Sequence, residues 1–308
     1  MNIYKSNSVK YFIDFNKWLL SNPNYYYIYC QLGKPKPFDV TLRDGLQGLP
    51  LEQQVKYNLN TKTTIYNELK SCELENIEIG SIVSDKIYPI FSDTLSFFSL
   101  VNTPTSILPI NNYILIPNFN KYNKVCKTSQ IKHFSLLSSV SNTFQLSNTH
   151  MTLQQSDEDI SNILKQDLMN STFKLYVSCI KECPIEGIIN NDFIVNRLLK
   201  LNKFNVNKLC LSDTCGSLIA NDLEYIITTC YKFGMVPSNF SLHLHVKPNR
   251  ETEVEQLIHK ALDLHIIDFD VSFLETGGCA KVLGNNNIKP NLSYELYYNS
   301  LKSYIIKQ

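Results

Sequence analysis

The sequence predicts an α/β protein: a (β/α)8 barrel of the TIM type with a short N-terminal extension. Three observations carry that expectation. Apolar, β-prone runs alternate with helical stretches eight times after residue 37, at a spacing of roughly 30 residues. Such alternation implies parallel strands joined by right-handed crossovers, and eight units in about 270 residues match a closed barrel. A doubly wound open sheet is the competitor, but it usually stops at about five or six strands. Finally, polar residues collect at the C-terminal ends of the expected strands, the face where barrel active sites are built.

In chain order, residues 1–37 read as an extension and residues 38–308 as the barrel. Residues 11–20 carry apolar side chains at helical spacing and stop near Ser21-Asn22-Pro23. Residues 25–32 are aromatic and β-prone, and the run from Gly33 to Pro37 then breaks the chain. This extension suits a cap or a docking segment for another subunit. The first strand is expected at 38–42, with a helix over 51–72. The second strand follows at 76–83, with a helix within 93–101, and the third at 112–117, with a short helix near 120–128. Strand four at 132–140 leads through a loop to a helix over 157–169. Strand five at 173–180 precedes a helix over 191–204. Strand six at 208–211 ends at Asp213 and Gly216, and its helix over 219–233 is closed by Gly234. Strand seven at 240–246, a helix over 251–264, strand eight at 266–273 and a closing helix over 293–306 complete the set.

Composition excludes several classes. The 308 residues are 44% hydrophobic and 19% charged, as in soluble globular chains. Lys and Arg number 29 against 28 acidic residues, a net charge of +1, which gives no reason to expect nucleic acid or an anionic membrane as partner. No run approaches the roughly 18 apolar residues of a membrane span. Nine cysteines, an odd number without a Cys-x-x-Cys pair, suit reduced thiols better than a structural zinc site. No signal-peptide core or C-terminal address is visible, so the cytoplasm is the expected compartment.

Two distant stretches carry the chemistry. Arg43 and Asp44 follow the first strand directly, an odd place for two charges unless something uses them. In Leu242-His243-Leu244-His245, residues two apart share a strand face, so the two imidazoles project together. One carboxylate and two imidazoles converging on a point form a site for a divalent metal. Glu78 sits between apolar neighbours on an interior strand, where a buried carboxylate needs a partner. Asp213 suits a helix cap as well as a site residue.

These residues are also where the sequence resembles the 3-hydroxy-3-methylglutaryl-CoA (HMG-CoA) lyases and their metal-dependent barrel relatives. The stretch from Val40 to Gln47 is similar to the family's opening motif, and Ile77 to Ser84 to its second strand. Tyr176 to Gly187 is close to a diagnostic stretch. Leu211 to Gly216, His243-Leu244-His245 and Gly277-Gly278-Cys279 resemble the sixth-strand motif, the metal pair and the catalytic loop. The resemblance implies Mg²⁺ or Mn²⁺ held by Asp44, His243, His245 and a loop Asn. Asn287 is the candidate, although Ile288 stands at the usual spacing from the cysteine. It implies a retro-Claisen cleavage of an acyl-CoA substrate, with Arg43 against the developing enolate oxygen and Glu78 and Asp213 orienting Arg43 and the substrate. Asp44, His243 or water would accept the hydroxyl proton, and Cys279 would protonate the enolate carbon. Gln47, Tyr176, Ser178 and Thr214 would contact the bound acyl-CoA, and a homodimer is the implied assembly.

The sequence departs from the family at Gly48-Leu49-Pro50, where a basic residue is missing, at Lys174 in place of an Arg, and at Val246 in place of an Asp or Asn. Each change touches substrate-facing or supporting groups, while Asp44 and both histidines remain. A retained metal site with an altered substrate is the simplest expectation. The competing readings are a condensing enzyme or aldolase acting on a 2-oxo acid, and a non-catalytic barrel with a degenerate site.

Overall fold

Eight parallel strands close into a barrel in the computed structural model, which describes residues 7–102, 110–126, 130–167, 171–274, 276, 277 and 289–308. They are β1 (Pro37–Asp39), β2 (Asn76–Ser81), β3 (Asn111–Leu115), β4 (His133–Ser139), β5 (Thr172–Ser178), β6 (Lys208–Asp213), β7 (Phe240–Leu244) and β8 (Phe269–Val271). Neighbours in sequence are neighbours in space, and β1 pairs with both β2 and β8. Side chains alternate as a pleated strand demands. On β5, Phe173, Leu175 and Val177 join the apolar layer beneath the helices, whereas Tyr176 packs with Leu115 and Cys210 in a separate inner cluster. On β7, Leu242 and Leu244 enter the main core, which leaves His243 facing the other way.

The structure corrects several sequence-based boundaries. The first strand ends at Asp39, and Thr41–Gly45 forms one turn of π-helix. The helix expected over 51–72 is two, Leu51–Gln54 and Leu59–Lys70, because the Asn58 side chain accepts the Thr61 N–H at 3.1 Å and starts the second. The loop expected after β4 contains a helix, Asn142–Thr149, started by Ser141 and ended by His150 in the left-handed region at φ 59°.

The aromatic stretch read as β-prone is helical. Helices Asn7–Leu20 and Pro23–Gln31 form the start of the chain, and Asn22 caps the second with Pro23 in its first turn. Their rings lie on the closing helix Tyr294–Lys307: Phe15 stacks on Tyr298 with centroids 4.8 Å apart, and Trp18 stacks on Tyr25 at 4.6 Å. Phe15 is fully buried there, so truncating it to Ala would cost about 3–5 kcal/mol. Among the described residues, no helix is long and apolar enough to cross a membrane.

Candidate active site

The π-turn at Thr41–Gly45 decides what the site can be. Had the strand continued, Arg43 and Asp44 would point to opposite faces. The wider turn, closed by Gly45 N–H to Val40 carbonyl at 3.1 Å, lets both line one cavity at the C-terminal mouth. Asp39 anchors the turn. Its carboxylate accepts the Thr41 N–H at 3.0 Å, the Thr41 hydroxyl at 2.8 Å and the Tyr294 hydroxyl at 2.8 Å. Burial nevertheless pushes the Asp39 carboxyl up to about 7, against the pull of those donors.

Arg43 is buried and held on two sides. Its Nε donates to Glu78 Oε2 at 2.6 Å, and its Nη1 donates to Asp44. Burial works against the cation, but the Glu78 and Asp44 carboxylates outweigh it and keep its pKa above the ordinary value. Tyr176 donates its hydroxyl to the same Glu78 oxygen at 3.0 Å and lies 5.1 Å from the guanidinium carbon.

Across the mouth, His243 Nδ1 meets Asp270 Oδ2 at 3.1 Å, and His245 Nδ1 meets the Lys289 carbonyl at 3.0 Å. A carbonyl and a carboxylate can only accept, so each ring donates its Nδ1 proton outward and turns its Nε2 toward the cavity. Those two nitrogens lie 3.2 Å apart, and Asp44 Oδ2 is 3.8 Å from His243 Nε2. Burial and the neighbouring His243 push the His245 pKa down to about 4, which keeps its ring neutral. All three ligand groups lie within 4.8 Å of one another. Two imidazole nitrogens and a carboxylate converge on one point, and this donor set fits a divalent metal. Arg43 and Lys174 are set against Asp44, Glu78 and Asp270 in the same buried cluster.

The cavity measures about 270 Å³. Arg43, Asp44, Gln47, Tyr176, His243 and His245 line it, as do Ser178 and Thr214, so eight of the sequence-predicted residues meet there. Glu78 lies behind Arg43 rather than on the cavity wall. Asp213 does not reach Arg43. Its buried carboxylate accepts the N–H groups of Ser217 at 2.8 Å and Leu218 at 3.0 Å, which shapes the turn after β6, whereas the next helix begins only at Ala220. Burial raises its pKa to about 6. Gly216, at φ +67°, seats that turn so close to the His245 carbonyl that a Cβ would lie 2.6 Å from it. Cys279 and Asn287 lie outside the described residues, as does Ile288.

The departures have local reasons. A Cβ on Gly48 would come within 2.5 Å of the Gly277 backbone nitrogen, so the segment after β8 rests on the turn after β1 only because no side chain stands there. Lys174 pairs with Asp270 deep in the barrel. Val246 donates its N–H to the Pro290 carbonyl at 2.7 Å beside the His245 anchor. Sequence reasoning missed Asp270, although the signal applied to Glu78 was present: a carboxylate between Phe269 and Val271 on an interior strand. It also missed the far end of the cavity, where Asn118, Lys121, Asn148 and His150 come together with no motif to announce them.

No protein-family profile matches the sequence. The cytoplasmic 3-hydroxy-3-methylglutaryl-CoA lyase of Homo sapiens is 24% identical over 264 residues, 85% of this chain and 68% of the human protein. A Pseudomonas aeruginosa lyase described as acting on 3-hydroxy-3-isohexenylglutaryl-CoA and hydroxymethylglutaryl-CoA is 23% identical over 255 residues, 82% of this chain and 80% of its own. An HMG-CoA lyase structure from Acinetobacter baumannii, in complex with coenzyme A and 3-methylmalate, superposes with a TM-score of 0.75 at 22% identity and covers 88% of each chain. The expected resemblance to the HMG-CoA lyases therefore holds along most of the barrel, in sequence and in fold.

Proposed function

We propose that the protein is a divalent-metal-dependent carbon–carbon lyase that cleaves a 3-hydroxyacyl-CoA into acetyl-CoA and a keto acid. The observation that carries this reading is the placement of Arg43 beside the converging Asp44, His243 and His245 groups. Asp44, His243 and His245 would hold Mg²⁺ or Mn²⁺, with Asn287 as the proposed fourth protein ligand. Such an ion, when bound, lowers the pKa of a substrate hydroxyl and orients it.

The remaining work falls to the chain. Arg43, fixed by Glu78, presents a permanent charge where negative charge would develop on the thioester oxygen as the bond breaks. Because Glu78 and Asp44 already hold the guanidinium, little reorganisation accompanies that step. The buried Tyr176 ring would limit water at this end of the cavity. The hydroxyl proton would pass to Asp44, His243 or water, and Cys279 would return a proton to the carbon of the departing enolate. Gln47, Ser178 and Thr214 would contact the acyl-CoA. A homodimer and a cytoplasmic location belong to the same proposal.

Incubation of metal-loaded protein with 3-hydroxy-3-methylglutaryl-CoA and longer 3-hydroxyacyl-CoA esters tests it. Release of acetyl-CoA that EDTA stops and Mn²⁺ restores is the expected result. Stoichiometric metal without turnover of any such ester would overturn the lyase reading, and turnover of a free 2-oxo acid instead would move the protein to the condensing relatives.

A further inference from the structure

Behind the metal ligands lies a buried ion pair that the proposed chemistry does not use. Lys174 on β5 donates to Asp270 Oδ1, and Asp270 Oδ2 faces His243 Nδ1 at 3.1 Å. Lys174 and Asp270 are at most 2% exposed. Lys174 also stands 3.4 Å from the Phe38 ring centroid and 4.8 Å from that of Tyr176, so its ammonium is confined by two aromatic rings and one carboxylate oxygen. Cys210 Sγ approaches Asp270 Oδ2 at 3.8 Å, and Tyr176 meets His243 edge to face at 5.6 Å. Each atom of Asp270 that could turn away from His243 is held.

A buried lysine and aspartate that served stability alone could be replaced by apolar groups at little loss. This pair ends on a particular ring nitrogen, the one whose protonation decides whether the other can ligate. We propose that Asp270 and Lys174 are positioning residues: Asp270 fixes the Nδ1–H tautomer and ring angle of His243, and Lys174 fixes Asp270. The inference rests on the metal-site reading above.

The experiment measures Mn²⁺ affinity by calorimetry on the full chain, together with imidazole ¹⁵N shifts of the metal-free protein. The wild type binds Mn²⁺ and shows His243 protonated on Nδ1. Asp270→Asn binds Mn²⁺ about 10–100-fold more weakly. Lys174→Met weakens it less, and Lys174→Arg restores it to within a few-fold of wild type. Wild type that binds no Mn²⁺ overturns the metal-site reading and this inference together. Wild type that binds, with a folded Asp270→Asn variant that binds equally well, overturns the inference alone. Should Asp270→Asn fail to fold, the wild-type shifts still decide: a His243 protonated on Nε2 refutes the relay without any variant.

Discussion

The inner and outer ends of the cavity are built on different principles. At the inner end every polar side chain meets a fixed partner: Arg43 meets Glu78 and Asp44, His243 meets Asp270, and His245 meets the Lys289 carbonyl. All six of these side chains are buried. At the outer end the groups are less enclosed: Lys121 is half-buried and donates to the Val83 carbonyl at 3.4 Å, and His150 is exposed on the left-handed end of its helix. Rigid groups held before substrate arrives suit bond-breaking, which rewards charge already in place. Less enclosed groups suit recognition of a variable substrate tail. On the proposed reading, the inner end would set the class of reaction and the outer end the acyl group it takes.

The largest effect expected follows from that division. Arg43→Met should lower kcat by about 10²–10³-fold, the loss seen when one donor to a developing oxyanion is removed, with little change in KM. Arg43→Lys should not rescue it, because an ammonium cannot hold Glu78, Asp44 and the substrate in one plane. Steady-state kinetics with the best hydroxyacyl-CoA ester check both. A loss confined to KM would mean that the inner end binds rather than reacts.

The inner end is rigid partly because Asp39 ties the π-turn to the closing helix. Its carboxyl ionises near 3.8 when exposed and near 7 when folded, because burial disfavours the charge. The folded chain thus holds a proton that the unfolded chain has released. That contribution to stability is complete below about pH 4, declines as pH rises, and is gone above about pH 7. Asp39→Asn should remove the decline, whose slope is at most about 1.4 kcal/mol per pH unit. Urea midpoints at several pH values measure it, and parallel curves for the two proteins would show that Asp39 carries no such proton.

The same division explains what could be read from the sequence. Strand periodicity located all eight staves, and spacing of two placed His243 with His245, because an alternating backbone fixes both. The shared face of Arg43 and Asp44 was not legible, since a π-turn leaves no periodic mark and the residues read as a strand running into a turn. Helix Asn142–Thr149 was invisible because only Phe144 and Gln145 of its side chains are buried, too few for an apolar face. The aromatic run after Pro23 read as β-prone, but its cap at Asn22 and ring packing against Trp18 outweigh that propensity. Asp270 was legible in principle, by the reasoning that singled out Glu78. The outer end was not, because Asn118, Lys121, Asn148 and His150 come from separate loops and helix ends that share no motif.

The smallest effect separates the two ends most cleanly. Lys121 lies outside the buried charge cluster, and its ammonium can swing toward a negative group on the substrate tail. A contact made equally in the bound substrate and in the transition state raises KM when lost and leaves kcat unchanged. Lys121→Ala should therefore raise KM by about fivefold to tenfold, worth about 1 kcal/mol, without altering kcat or Mn²⁺ affinity. Added salt should raise the wild-type KM and leave that of the variant nearly flat, because a partly exposed ion contact is screened. A fall in kcat instead would mean that Lys121 helps to hold the reacting end of the substrate, and the line between reaction and recognition would have to be redrawn closer to the mouth.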